Sequence, residues 1–248
     1  VTGSQPDPQD PATDFSTTGD ELVDQWRRAL GRGVEGCKIG LWNWAFQTAE
    51  DEMTRPCWTA LRALEREGAE LVDVDIDYSQ FHQAVGAVIL GVESNGMLRE
   101  LFDAYEDETG DDVRLMTGAF DSLTAREYMY CRRTRATLRE KVAEAFQEVD
   151  LIAAPTTNGI APRYPLEDDR KAIYDQKAID AMTKFTFLAN LTGLPVGTMP
   201  VGMIEGLPAG LQLIGDAWDE ASVFAALAHA ERLGVTGLPR PSRYLRHG

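Results

Sequence analysis

Apolar and polar positions alternate between two periods along this chain, and the changes of period mark its elements. From Gly36 the run GCKIGLW is a short apolar stretch that reads as a strand. Over roughly 50–67 the apolar positions Met53, Cys57, Ala60, Leu61 and Leu64 recur at helical spacing, and Gly68 ends the pattern. AELVDVDI then supplies a second strand, so strand, helix and strand form a βαβ unit over 37–76 with a right-handed crossover. The stretch 80–149 is helical. Its clearest helix begins near Thr124, with Tyr128, Cys131, Leu138, Val142, Ala145 and Val149 on one face and Arg132, Arg133, Arg139 and Glu140 largely on the other.

VDLIAAPTT is a buried strand stopped at Pro155, and the chain returns to the core sheet over 150–248. A polar loop follows over 156–178, a helix over Ala178–Leu188, and a last helix over about 219–233 with Val223, Leu227, Ala230 and Leu233 inward. Before all this, residues 1–33 read as an extended, Pro- and Asp-rich arm and one short helix, with Asp20 as its cap and Gly31 as its end. The main unit is therefore 34–248, an α/β fold with a mixed central sheet covered by helices.

The segment 190–215, NLTGLPVGTMPVGMIEGLPAGLQLIG, breaks the pattern: it is apolar, yet Gly or Pro recurs every few residues. Glycine permits positive φ and close backbone approach, and proline fixes strand ends. The segment predicts two short strands, VGTMPVG and LQLIG, with IEGLPAG as the turn.

Composition narrows the function classes. The 248 residues carry a net charge of −16, which argues against a nucleic-acid groove, since phosphate contacts need clustered cations. No uninterrupted apolar run approaches the ~18 residues of a membrane span, and the N-terminus has no basic-then-apolar leader pattern. Cys37, Cys57 and Cys131 stand apart without a Cys-x-x-Cys pair, as reduced thiols of a cytoplasmic protein do. His82, His229 and His247 form no His-x-x-His or His-Glu-x-x-His pattern, so no metal site is expected, and His229 reads as a packed or surface residue. The seven serines stand singly, none in a Gly-x-Ser-x-Gly elbow, and no glycine fingerprint follows the first strand, so no dinucleotide cofactor is expected.

Four stretches in family-like order resemble the C-terminal half of amidase signature enzymes. They are VTGSQPDPQDPATDF; GVEGCKIGLW with ALRALEREGAELVDVDI; EYMYCRRTRATLREKVAEAFQEVDLIAAPTT; and FTFLANLTGLPVGTMPVGMIEGLPAGLQLIGDAWDE. The resemblance implies the amidase signature fold, in its C-terminal portion, and carboxamide hydrolysis through an acyl-enzyme. The family's nucleophilic Ser, bridging Ser and Lys lie upstream of the Gly-Asp-Pro link, so no catalytic residue is assigned to this chain.

What the resemblance carries over is a substrate wall. RLMTG places Arg114 at the spot where transfer-RNA amidotransferase members carry a substrate-binding Arg. Thr183 stands where those members carry an Asp, which disfavours glutamine as substrate. Phe185, Phe187, Asn190 and Thr192 flank the same pocket. Each has a plainer alternative: Arg114 as a surface arginine, Phe187 as core, Asn190 and Thr192 as turn-satisfying groups. The resemblance implies a serine amidohydrolase acting on a small carboxamide, urea-like or aryl amide, inactive as an isolated chain, with a separate or cleaved N-terminal amidase half supplying the Ser-Ser-Lys as partner, no cofactor, and room for a homo-oligomer. The alternatives are part of a glutamine-dependent transfer-RNA amidotransferase and a non-catalytic scaffold of the same fold.

Overall fold

The computed structural model describes residues 19–162 and 175–236. Most of the N-terminal arm, the middle of the 156–178 loop, and His247 lie outside the described residues.

A short helix α1, Gly19–Ala29, precedes strand β1, Lys38–Trp42. Asp20 therefore falls inside the helix rather than before it. Helices α2, Asn43–Thr48, and α3, Asp51–Arg66, lead from β1 to β2, Glu70–Val74, which runs parallel to β1. Gly68, at φ 96°, makes the left-handed turn between α3 and β2 that an L side chain resists. This is the expected βαβ unit.

Three helices follow: α4, His82–Ala104, α5, Asp111–Asp121, and α6, Ala125–Ala145. Strand β3, Leu151–Pro155, then enters parallel to β1 on its other side. After α7, Gln176–Thr183, and α8, Phe187–Thr192, come β4, Val196–Ile204, β5, Leu207–Gly215, and α9, Glu220–Arg232. The sheet order is β2-β1-β3-β5-β4, with β5 antiparallel to both neighbours.

The period of two along each strand sorts the core into two layers. Ile39, Leu41, Leu151, Ala153, Leu211 and Leu213 face α3 and α9. Trp42, Ile152, Ala154 and Ile214 face Leu138 and Val142 of α6, Val85 and Ile89 of α4, and Leu188 of α8. With both faces covered, β3 is buried at every position, which is why its sequence is an unbroken apolar run.

Thr124 caps α6 as the helical pattern implies. Its hydroxyl accepts from Glu127 N at 3.3 Å, and the Glu127 carboxylate accepts from Thr124 N at 2.7 Å. That hydrogen-bonding holds the Glu127 carboxyl below its ordinary range. Thr124→Ala is expected to cost about 1 kcal/mol, read as a lower urea midpoint with an unchanged slope.

Two expectations are corrected. The single helix read over Ala178–Leu188 is two helices, α7 and α8, separated at Lys184–Thr186. The main-chain carbonyls of Lys184 and Phe185 face side chains of distant elements, His82 and Gln212, and Phe185 is driven fully into the core. The glycine-rich hairpin is also tighter than IEGLPAG suggested. Its turn is Glu205–Gly206 alone, at φ 51° and 83°, the left-handed pair that matches the twist of two joined strands. Leu207 to Gly210 belong to β5, paired with β4 across an irregularity between Pro200 and Gly202.

Candidate functional site

In open α/β sheets the crevice beyond the carboxyl ends of the strands is where ligands bind. In this sheet that end follows Trp42 of β1 and Pro155 of β3, and the segment joining α7 to α8 lies beside it. Trp42 is fully buried, its indole Nε1 donating to Ser79 Oγ at 3.1 Å. Around its ring stand Trp44, His82 and Phe185 at centroid distances of 5.3, 5.2 and 6.3 Å. Gln212, projecting from β5 to the same end, donates from Nε2 to Pro155 O at 3.1 Å and Phe185 O at 3.0 Å. One amide thereby ties the end of β3 to the α7–α8 joint.

The structure gathers five of the six expected pocket residues along that joint. Thr183 accepts from Gln83 Nε2 at 2.9 Å and donates to Ile179 O at 2.8 Å. Phe185 is core. Phe187 is half-buried and lies against Gly86 of α4, where an added Cβ would stand 2.1 Å from its ring. Asn190 is exposed and donates to Thr186 O at 2.8 Å, while buried Thr192 donates to Leu188 O at 2.8 Å. The hydroxyl of Thr192 and the amide of Asn190 are thus engaged with their own helix.

Arg114 sits elsewhere. It is exposed on α5, paired with Asp111, and lines a cleft of about 190 Å³ with Arg99, Asp103 and Asp121. Arg99 bridges Asp121 at 2.6 Å and Asp103 at 3.0 Å. Gln83 and Arg99 mark the two sites on α4, and sixteen residues of helix put them about 24 Å apart. The structure therefore does not bring Arg114 to Thr183.

Residues that sequence reasoning passed over are His82, Gln212 and Thr156. Gln212 lies in the quoted GLQLIG, and Thr156 in the quoted APTT, but neither signal separates a site residue from a strand residue. The Thr156 hydroxyl is buried without a hydrogen-bond partner among the described residues, and Gly210 opposite leaves room for it. His82 and Ser79 do not form a base–nucleophile pair: Nδ1 of the imidazole faces the Ser79 main-chain carbonyl, and the Ser79 hydroxyl is held by Trp42.

The titration behaviour fits this burial. Desolvation lowers the His82 pKa from its ordinary value of 6.5, against the opposing pull of the Ser79 and Lys184 carbonyls. A histidine that resists protonation only when folded contributes its stability above 6.5, and that contribution is lost as pH falls from 6.5 towards the depressed folded value. Unfolding curves are expected to show this acid-side loss in the wild-type chain and its absence in His82→Gln. Burial pushes the Cys57 thiol up to about 12 and the Cys37 thiol up to about 11, with Asp150 adding to the latter. Neither is a nucleophile at neutral pH. Among the described residues no three His, Cys, Asp or Glu side chains converge as metal ligands. No helix among them is long and apolar enough to cross a membrane.

Comparison with known proteins shows the family. The family described as Amidase matches residues 3–224. A fatty acid amide hydrolase from Medicago truncatula is 32% identical over 215 residues, covering 85% of this chain and 35% of its own length. One subunit of the glutamyl-tRNA(Gln) amidotransferase from Myxococcus xanthus is 30% identical over 255 residues, 92% of this chain and 50% of that protein. Among solved structures, a bacterial aryl acylamidase of the amidase signature enzymes superposes with a TM-score of 0.71 at 27% identity, covering 91% of this chain and 48% of that one. A protein from a complex related to s-triazine catabolism shares the fold at a TM-score of 0.80 and 23% identity, covering 94% of this chain and 50% of that one. The chain spans a third to a half of the length of these relatives. It belongs to the amidase signature family.

Proposed function

We propose that this chain forms the substrate-wall part of a serine amidohydrolase that cleaves a small carboxamide, urea-like or aryl amide through an acyl-enzyme. The nucleophilic Ser, bridging Ser and Lys come from the complementary N-terminal half of the fold, a separate or cleaved polypeptide. The observation that carries the reading is the pairing of a family match over 3–224 with coverage of only about half of the family members it resembles. Two of the serines fit it: the Ser79 hydroxyl accepts from the Trp42 indole and the Ser122 hydroxyl donates to Ala119 O, so neither hydroxyl is hydrogen-bonded to a base.

In this mechanism the complementary half supplies attack and proton transfer, and the carbonyl oxygen of the substrate is stabilised by main-chain N–H groups there. This chain shapes the side opposite, with Thr183, Phe187 and Asn190 nearest the surface of the joint and Phe185 and Thr192 supporting them. A hydroxyl and a phenyl ring at this wall suit an uncharged amide better than a zwitterionic amino acid, whose ammonium needs a carboxylate.

The test is ammonia or amine release from aryl and short alkyl amides. The chain alone is expected to be silent, and the chain assembled with its complementary half active. Equal turnover by the isolated chain would overturn the reading. A second reading, ammonia delivery to a mischarged transfer RNA, is favoured by the 30% identity to the amidotransferase over 92% of this chain. It predicts glutamine-dependent activity, which the hydroxyl at Thr183 disfavours.

A further inference from the structure

Side chains of other elements reach into the segment 180–191 and hold its main-chain carbonyls. Gln83 of α4 donates from Nε2 to Asp180 O at 3.1 Å, and Gln212 of β5 to Phe185 O at 3.0 Å. Arg135 of α6 donates from Nε to Leu191 O at 2.6 Å. The fourth contact is His82, at the start of α4, whose Nε2 lies 2.7 Å from Lys184 O. A carbonyl only accepts, so each contact requires an N–H. The amides and the guanidinium always carry one. An imidazole nitrogen carries one in only some of its forms, so among these four His82 alone has a conditional grip.

Nδ1 faces Ser79 O, a carbonyl that also accepts the main-chain N–H of His82, so both ring nitrogens meet carbonyl oxygens. Lys184 O lies across the joint, with 102 residues between the partners. The long-range contact is made whenever Nε2 carries a hydrogen, whatever Nδ1 carries. The ring is fully buried, with the indoles of Trp42 and Trp44 at 5.2 and 5.4 Å. Of the groups that meet it, Trp42 and Trp44 on the β1–α2 side and Ser79 on the preceding turn are uncharged, and Phe185 on the joint packs on the same two indoles. The charged side chain on the joint is Lys184, whose ammonium is turned to Thr48 O and stands 5.4 Å over the Phe185 ring.

We propose that His82 is a positioning residue: through a hydrogen on Nε2 it ties the α7–α8 joint to the start of α4, and so sets where Phe187 and Asn190 stand. This rests on the reading of 183–192 as a substrate wall. Desolvation favours the neutral ring, and the Ser79 and Lys184 carbonyls pull in the opposite sense.

Two measurements test it. In the wild-type protein, long-range proton–nitrogen correlation of the imidazole near neutral pH is expected to show a hydrogen-bearing Nε2. A bare Nε2, with the hydrogen on Nδ1 alone, overturns the proposal without any variant having to fold. The second compares His82→Gln, which keeps an N–H donor, with His82→Leu, which does not. In the assembled enzyme His82→Leu is expected to raise KM about tenfold, the equivalent of one lost hydrogen bond, with kcat about unchanged, and His82→Gln to recover most of that. Equal defects in the two variants overturn the hydrogen-bonded role. If Nε2 carries a hydrogen and His82→Gln restores the near-ultraviolet tryptophan signal that His82→Leu loses, yet both keep wild-type KM, then the tie is real and the substrate-wall reading is overturned.

Discussion

Trp42→Ala is expected to lower stability by about 3–5 kcal/mol, the range for emptying a large aromatic from a core that collapses only partly. Trp42 is fully buried at the carboxyl end of β1 and packs at once against Trp44, His82 and Phe185. Its loss also leaves the buried Ser79 hydroxyl without its indole donor. Denaturant unfolding followed by far-ultraviolet circular dichroism reads the effect. A loss below about 1 kcal/mol would mean that the neighbouring rings close the space, and that the cluster is not the rigid base of the site.

Gln212→Leu is expected to cost about 2–4 kcal/mol despite its similar volume, because it strips donors from Pro155 O and Phe185 O in a buried place. Gln212 is 2% exposed, so water does not readily replace the amide. The defect is expected to concentrate at the α7–α8 joint: amide hydrogens of 187–192 should exchange faster while those of β3 and β5 stay protected. Uniform loss of protection across the sheet would instead assign Gln212 to the core at large.

How legible the molecule was in its sequence differs by element. Strands β1 and β3 were legible because burial on both faces leaves an unbroken apolar run, and α3 and α6 because each shows one apolar stripe with clear ends. The division of Ala178–Leu188 into two helices was not, because no local residue causes it. The carbonyls at the break meet His82 and Gln212, 102 and 27 positions away. The hairpin turn was read too wide for a related reason: Pro208 and Gly210 look like turn residues, but register with β4 keeps them in a strand.

The site was legible only as far as motif resemblance carried it. It picked out the residues of the joint, but it grouped Arg114 with them, and only the length and direction of α4 separate the two places. Charge patterning pointed away from nucleic acid, yet said nothing of the substrate. His82 stood in the sequence as one isolated histidine. Its importance comes from two carbonyls and two indoles that meet it in the fold.

The central claim is that these 248 residues carry the wall and not the nucleophile. It is tested most directly by fluorophosphonate labelling of the active assembled enzyme, followed by peptide mass mapping of the adduct. The predicted result is a single modified serine outside this sequence, with these 248 residues unlabelled both alone and assembled. An adduct on any serine of this chain that accompanies loss of amide turnover would contradict it.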